Sequence, residues 1–193
     1  MTDQAAARSW FEKNLELKRA SVAADPTDME LKGQLAAAYT RLGENLGSSG
    51  DHQGALERLK QASVIAREVA EVDPANRSAQ FQYGRSLSQT SRSHIALGNI
   101  DEARDLLHKS LDIILEQAQS DPANVNLQLG LADAYELLAD ATIEKGDGDQ
   151  ARDWLQKSLA VRESLSNALP NHPRLKKLLA DCREKLAEWD EGE

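Results

Sequence analysis

Residues 25–50 read DPTDMELKGQLAAAYTRLGENLGSSG, and this stretch decides the fold because its landmarks return at a fixed interval. Prolines stand at 26, 74, 122 and 170, one every 48 residues, and glycines at 50, 98 and 146 keep the same interval. Alanines at 7, 55, 103 and 151 keep it as well. A short tandem period of this kind is typical of a solenoid, in which each unit buries its apolar face against its neighbours.

The composition predicts that the repeated elements are helices. Apolar residues make up 40% of the 193-residue chain, but it has only two Phe, three Tyr and three Trp, and Ala and Leu dominate instead. That mixture, with 28% charged residues, favours closely packed helices over sheet. We therefore expect an all-α fold.

The charge and the N-terminus restrict the function classes. A formal net charge of −9 repels nucleic acid and anionic membrane surfaces. The first residues, MTDQAAARSW, lack the basic start and apolar run of a secretory leader, and no stretch approaches the roughly 20 apolar residues of a membrane span. Together with a single cysteine, these features predict a cytoplasmic protein that binds neither nucleic acid nor membrane.

Each repeat divides into two helices, which we call A and B. Helix A of the first full repeat carries its apolar stripe at Leu31, Leu35, Ala38, Tyr39, Leu42 and Leu46. Residues 47–50 break the pattern with two glycines, and Asp51 is placed to cap helix B, which ends as the chain reaches Pro74. Asp28, Asn76 and Asn124 are predicted N-caps of successive A helices, and Pro173 suits the first position of the last one.

The phase of the pattern predicts eight helices of about 20 residues in the order B-A-B-A-B-A-B-A, forming one domain over residues 1–193. Its repeats are a half unit at 3–24, full units at 25–72, 73–120 and 121–169, and a half unit at 170–193. Without a preceding helix A, the first helix should leave Ala7, Trp10 and Phe11 partly uncovered. The chain is then part of a longer array, or its terminal helices repack locally, or the last helix A of one copy completes the first helix B of the next.

The spacing of apolar and small residues in helices A and B resembles the motif of a known repeat family. Tyr39-x2-Leu42-Gly43-x2-Leu46 and Ala55-x3-Leu59 resemble the two conserved elements of the tetratricopeptide repeat, and Ala7-x3-Phe11 follows the second element. Residues 135–139 and 151–155 repeat both elements, whereas the helix A that contains His94 follows them less closely. The resemblance implies a right-handed solenoid of antiparallel helix pairs. Its 48-residue unit is similar to the long units of many bacterial arrays.

The polar residues do not form a catalytic or metal-binding pattern in the sequence. The four histidines have neither an H-x3-H nor a Cys/His spacing, and Gly-Asp-Gly-Asp at 146–149 lacks the remaining ligands of a calcium loop and is interpreted as a turn. Cys182 shares its repeat position with Ala38, Ser86 and Ala134, so we interpret it as a small buried group. We expect no enzyme activity, cofactor or metal.

The concave groove lined by the A helices is the predicted partner-binding site. Its candidate residues are Thr40, Glu44, Phe81, Arg85, Ser88, Gln89, Arg92, Asp133, Glu136 and Asp140. Arg85 and Asp133 differ by one repeat, as do Arg92 and Asp140, so they could form lateral ion pairs between neighbouring helices. In the other interpretation, Arg85 and Arg92 hold a carboxylate of a partner.

The sequence therefore predicts a non-catalytic scaffold that binds a protein or peptide in this groove. The alternative is a structural assembler that forms head-to-tail homo-oligomers through its unpaired terminal helices.

Overall fold

The computed structural model describes residues 3–191, in which it has eight α-helices and no strand. The helices are α1 (Asp3–Ala24), α2 (Met29–Ser48), α3 (His52–Val72), α4 (Arg77–Ala96), α5 (Ile100–Ser120), α6 (Val125–Ile143), α7 (Gly148–Ala168) and α8 (Pro173–Glu191). The predicted all-α class and the alternation of eight long helices are confirmed. The ends of the predicted domain, residues 1–2 and 192–193, lie outside the described residues.

The helix boundaries follow the sequence period. The four A helices begin at 29, 77, 125 and 173, each 48 residues after the previous one. Asp28, Asn76 and Asn124 cap the first three of them by accepting hydrogen bonds from backbone N–H groups in the first turn. The glycines at 50, 98 and 146 have φ of 85°, 76° and 79°, the left-handed conformation that lets the chain turn from helix A into helix B.

Residues up to Ser110 and residues from Leu111 onward form two compact units, with the boundary inside α5. We call them the first and second units. The division into one domain with 48-residue repeats remains a prediction, and each unit is described by itself.

In the first unit, α2 and α3 pack most closely around Gly43. A Cβ built on Gly43 would lie 2.6 Å from Leu59 Cγ and 3.3 Å from the Ala55 carbonyl oxygen, so glycine permits this approach of the two helices. The buried cluster around it consists of Leu15, Leu35, Ala38, Tyr39, Leu42, Leu46, Ala55, Leu59 and Ala62. Phe11 and Val22 of α1 pack at its edge.

Helix α4 presents an interior face that is mainly hydroxylic. Its buried hydroxyls are Ser86, Ser88, Thr90, Ser91 and Ser93. Most of them bond to carbonyls one turn earlier or to hydroxyls of the neighbouring helices, as when Thr90 meets Ser63 of α3 at 3.0 Å. The polar groups are therefore largely satisfied, but α4 contributes less apolar area to the core than α2 does.

In the second unit, α6 and α7 form the corresponding pair. Leu138, Ala139, Ala151 and Leu155 are at most 1% exposed, and Ala139 occupies the repeat position of Gly43. Cys182 of α8 is fully buried, as predicted for a small interior group, and burial raises the pKa of its thiol. Among the described helices, we find none whose length and apolar content would let it cross a lipid bilayer.

Candidate partner-binding site

The seam between the A helices α2 and α4 brings together several predicted site residues of the first unit. Glu44 of α2 and Gln89 and Arg92 of α4 line one cavity of about 350 Å³, which we call the Arg92 cavity. Ser93 and His52 also line it, and Leu59 contributes an apolar contact from α3. Arg92 is exposed, so its guanidinium is accessible to a partner at this end of the seam.

An ion pair crosses the same seam. Arg85 Nη2 of α4 donates to Glu44 Oε1 of α2 at 2.8 Å, and both side chains keep about a third of their surface in water (41% and 31% exposed). Pairs of this exposure stabilise a fold by about 0–1 kcal/mol. Arg85 is thus oriented by Glu44 but is not withdrawn from solvent.

A second cavity of about 570 Å³ lies further along the seam, where α2 and α4 begin and α3 ends. We call it the Gly33 cavity, because Gly33 of α2 lines it and leaves open space where a side chain would stand. Thr40 also lines it, but its hydroxyl donates to the Ala36 carbonyl oxygen at 3.0 Å and only 9% of the residue is exposed.

Two other predicted residues of α4 lie deeper. Ser88 is buried, its hydroxyl 2.6 Å from the Ser110 hydroxyl of α5, which in turn donates to the Gly84 carbonyl oxygen. Phe81 is half-buried. Ser88 therefore faces the α4/α5 packing and not a partner.

His94 is a buried titratable group next to the Arg92 cavity. Its Nδ1 has no hydrogen-bond partner among the described residues. Burial lowers the pKa of His94, the charge of Lys60 lowers it further, and Glu102 acts in the opposite direction. The imidazole therefore favours its neutral form inside the helix packing.

In the second unit, the predicted acidic residues are held by cations of the same unit. Arg162 of α7 is 3% exposed; its Nη2 donates to Asp133 Oδ1 at 3.1 Å and also to Glu136 of α6. Its Nη1 donates to the Leu178 carbonyl oxygen of α8 at 2.9 Å. Lys185 of α8 pairs with Asp140 and Glu136.

Arg162 and Lys185 are the two side chains of this region that sequence reasoning missed. Arg162 occupies the repeat position of Ala66 and Ile114, which are both buried and apolar. A charged residue at a position that is apolar in the two preceding repeats would have indicated a buried partner for it. Ion pairs that join A helices within each unit are Arg85–Glu44 and Lys185–Asp140. The predicted pairs of Arg85 with Asp133 and of Arg92 with Asp140 remain predictions.

Within residues 3–191, no group of three or more His, Cys, Asp or Glu side chains is arranged to hold a metal ion. The arrangement supports recognition by hydrogen bonds, ion pairs and apolar contacts.

The chain is similar to one family model and to several solved structures. The family model of the tetratricopeptide repeat matches residues 131–174, and no curated protein matches the sequence. Among solved structures, the N-terminal domain of stress-induced protein-1 (STI-1) from C. elegans is 16% identical, covers 79% of this chain and 97% of that chain, and has a TM-score of 0.42.

Two further solved structures align with the whole of this chain. BtubC (BKLC) from P. vanneervenii is 14% identical, with 92% of that chain covered and a TM-score of 0.44. MamA is 18% identical, with 96% of that chain covered and a TM-score of 0.46.

The family match covers most of the helix A α6, the whole helix B α7 and the start of α8. The resemblance predicted from the residues is thereby confirmed for residues 131–174, which match the family model of the tetratricopeptide repeat.

Proposed function

We propose that the chain is a non-catalytic interaction module whose α2/α4 seam binds an extended segment of a partner protein. Helical repeats of this type use the surface of their A helices for binding. The observation that carries the proposal is the exposed Arg92 in an open cavity beside Gln89 and Glu44.

The positive charge of Arg92 decides which side chain of a partner the Arg92 cavity favours. Arg92 presents a planar guanidinium that can donate two parallel hydrogen bonds to a carboxylate. Gln89 can donate or accept beside it, and Glu44 already accepts from Arg85. We therefore assign a carboxylate of the partner to Arg92.

Selection from a random 12-residue peptide display library on the intact chain tests this function. Selected peptides should carry Asp or Glu, and Arg92→Glu should weaken their binding at least roughly tenfold, because two like charges then face each other. Arg67→Glu is the matched control, since Arg67 is an exposed arginine of the same unit, on α3 and outside both seam cavities. Equal binding to the two variants, or a selection that yields no binder, would contradict the proposal.

One observation favours the alternative of an assembler. Trp10 and Leu17 of α1 are 57% and 67% exposed, and Phe11 is only half-buried at a repeat position where Leu59 and Leu107 are at most 2% exposed. A helix A of a second copy, such as α8, would cover this face in a head-to-tail contact.

Sedimentation velocity over a wide concentration range distinguishes the two functions. An assembler grows with concentration, and replacing both Trp10 and Leu17 by Ser should abolish that growth by removing the apolar contact. Replacing the exposed Val64 of α3, which lies outside both seam cavities, by Ser is the control. A mass that stays at one chain at all concentrations would exclude the assembler.

A further inference from the structure

The Gly33 cavity exists because a small residue stands where the other repeats carry large ones. One and two repeats later, the position of Gly33 is occupied by Phe81 and Leu129. A Cβ built on Gly33 meets no atom within 4 Å, so the space next to the Gly33 backbone is open. The first repeat therefore leaves open a space of about 570 Å³ at a position where the next two repeats place an aromatic or aliphatic group.

The lining of the cavity selects the chemistry of its occupant. Ala36, Ala66, Val69 and Val72 contribute apolar surface against which a Phe-sized side chain can pack. Glu30 and Asp73 contribute two carboxylates, while Lys and Arg are missing from the lining residues that the structure describes. Such a cavity favours a large apolar side chain that has a basic neighbour.

The distance between the two cavities fixes the length of the ligand. Gly33 and Glu44 are eleven positions apart on α2, which corresponds to about 16 Å along the helix. An extended peptide advances about 3.3 Å per residue, so it covers this distance in about five residues. Both cavities lie between α2 and α4, and α3 contributes to both.

We propose that the Gly33 cavity receives a large apolar side chain, flanked by Lys or Arg, of a peptide whose carboxylate about five residues away is bound by Arg92. This inference rests on the proposed function of the α2/α4 seam and adds the second anchor of its ligand. The two anchors fix the distance between the apolar and the acidic residue of the ligand, because only a peptide that reaches both cavities gains affinity from both contacts.

The probes are two labelled peptides that carry the anchors in opposite order, acetyl-Lys-Phe-Ser-Gly-Ser-Gly-Asp-amide and acetyl-Asp-Gly-Ser-Gly-Ser-Phe-Lys-amide. Fluorescence anisotropy with the intact chain should show that one of them binds at least roughly tenfold more tightly than its Phe→Ala analogue. Removing three of the spacer residues should reduce binding to that of the analogue. Absence of binding of both probes up to about 1 mM would overturn the inference.

Variants of Gly33 test the location of the anchor. Gly33→Phe introduces the residue of the next repeat and should remove the preference for Phe over Ala in the peptide. Gly33→Ala leaves most of the cavity open and should keep that preference, and circular dichroism verifies that both variants fold. A preference for Phe that persists in Gly33→Phe would overturn the inference.

The result separates the two proposals. Replacing Asp of the peptide by Asn tests the Arg92 contact, because the neutral amide loses the charge-assisted hydrogen bonds. If Asp is preferred but Phe is not, the Gly33 anchor fails and the proposed function stands. If Asp and Asn bind equally, the proposed function fails at Arg92 whatever the peptide does at Gly33.

Discussion

The α2/α4 seam of the first unit and the α6/α8 seam of the second unit use the same positions of the repeat, but they differ in what fills them. The first seam holds two cavities and one ion pair of intermediate exposure. The second seam is crossed by Arg162 and Lys185, which engage three carboxylates of α6. The same helical framework therefore supports an open seam in one unit and a cross-linked seam in the other.

Three positions account for the difference. Arg162 stands two repeats after Ala66, Leu129 two repeats after Gly33, and Lys185 two repeats after Gln89. In each case the second unit has the larger or more charged side chain. The comparison teaches that the repeat period sets where the helices lie, whereas the size and charge at a few positions decide whether the seam is open or cross-linked.

The largest expected effect is that of replacing Arg162 by alanine, the residue type that stands two repeats earlier at position 66. Arg162→Ala should lower the free energy of unfolding by about 2–4 kcal/mol, because Asp133 and Glu136 lose their shared buried cation and the Leu178 carbonyl oxygen loses a donor. Urea unfolding followed by circular dichroism measures the loss. The matched control is Arg183→Ala, which breaks an exposed Arg–Glu pair between α8 and α7 and should cost at most about 1 kcal/mol. Equal costs would mean that burial of Arg162 is not what stabilises the second seam.

The next effect concerns the helix pair beneath the open seam. Gly43→Ala should lower the free energy of unfolding by about 1–2 kcal/mol, because the new Cβ would overlap Leu59 and this overpacking exceeds the gain in helix propensity. In the second unit, the same position already holds the fully buried Ala139. Ala139→Gly is the reciprocal change and should also be destabilising, by about 1 kcal/mol. Thermal unfolding of both variants checks the pair, and a stabilised Gly43→Ala would contradict the packing argument.

The fold could be predicted from the sequence because its causes are local. The proline and glycine period located the turns, and the capping residues Asp28, Asn76 and Asn124 located the starts of three A helices. A helical stripe of apolar residues needs only its own spacing to be recognised.

The site could be predicted only in part, because side-chain partners depend on contacts between helices. The sequence placed Glu44, Gln89 and Arg92 on one face, and they line one cavity. It could not show that Ser88 bonds inward to Ser110, or that Arg162 reaches Asp133 from a helix B. The Gly33 cavity arises where a side chain is missing, and this can be recognised only by comparing Gly33 with the residues at the same position of the later repeats.

A smaller effect of opposite sign is expected at the open cavity. Gly33→Ala should raise the free energy of unfolding by about 0.5–1 kcal/mol, because alanine gains helix propensity and its Cβ meets no neighbour within 4 Å. The same substitution at Gly43 is predicted to destabilise, so the two variants form a matched pair in one helix. If Gly33→Ala destabilised the chain, the space at Gly33 would be filled in solution and the open-seam description would be wrong.

The smallest effect tests whether the polar interior of α4 distinguishes the two units. His94 occupies the repeat position of Leu46 and Thr142, and its pKa is lowered by burial, so the folded state binds its proton less readily than the unfolded state does. The stability that His94 contributes is therefore complete above its ordinary pKa of about 6.5 and is lost as the pH falls through the lowered pKa of the folded state.

His94→Leu, which introduces the residue of the first repeat, should flatten the pH dependence of the unfolding free energy between about pH 7.5 and 5.5. One proton can contribute at most about 1.4 kcal/mol per pH unit to that slope, so unfolding curves are compared at closely spaced pH values. His108→Leu, on the exposed side of α5, is the control and should keep the slope of the parent chain. If the slope were the same in His94→Leu, the pH dependence of the unfolding free energy would arise from groups other than His94.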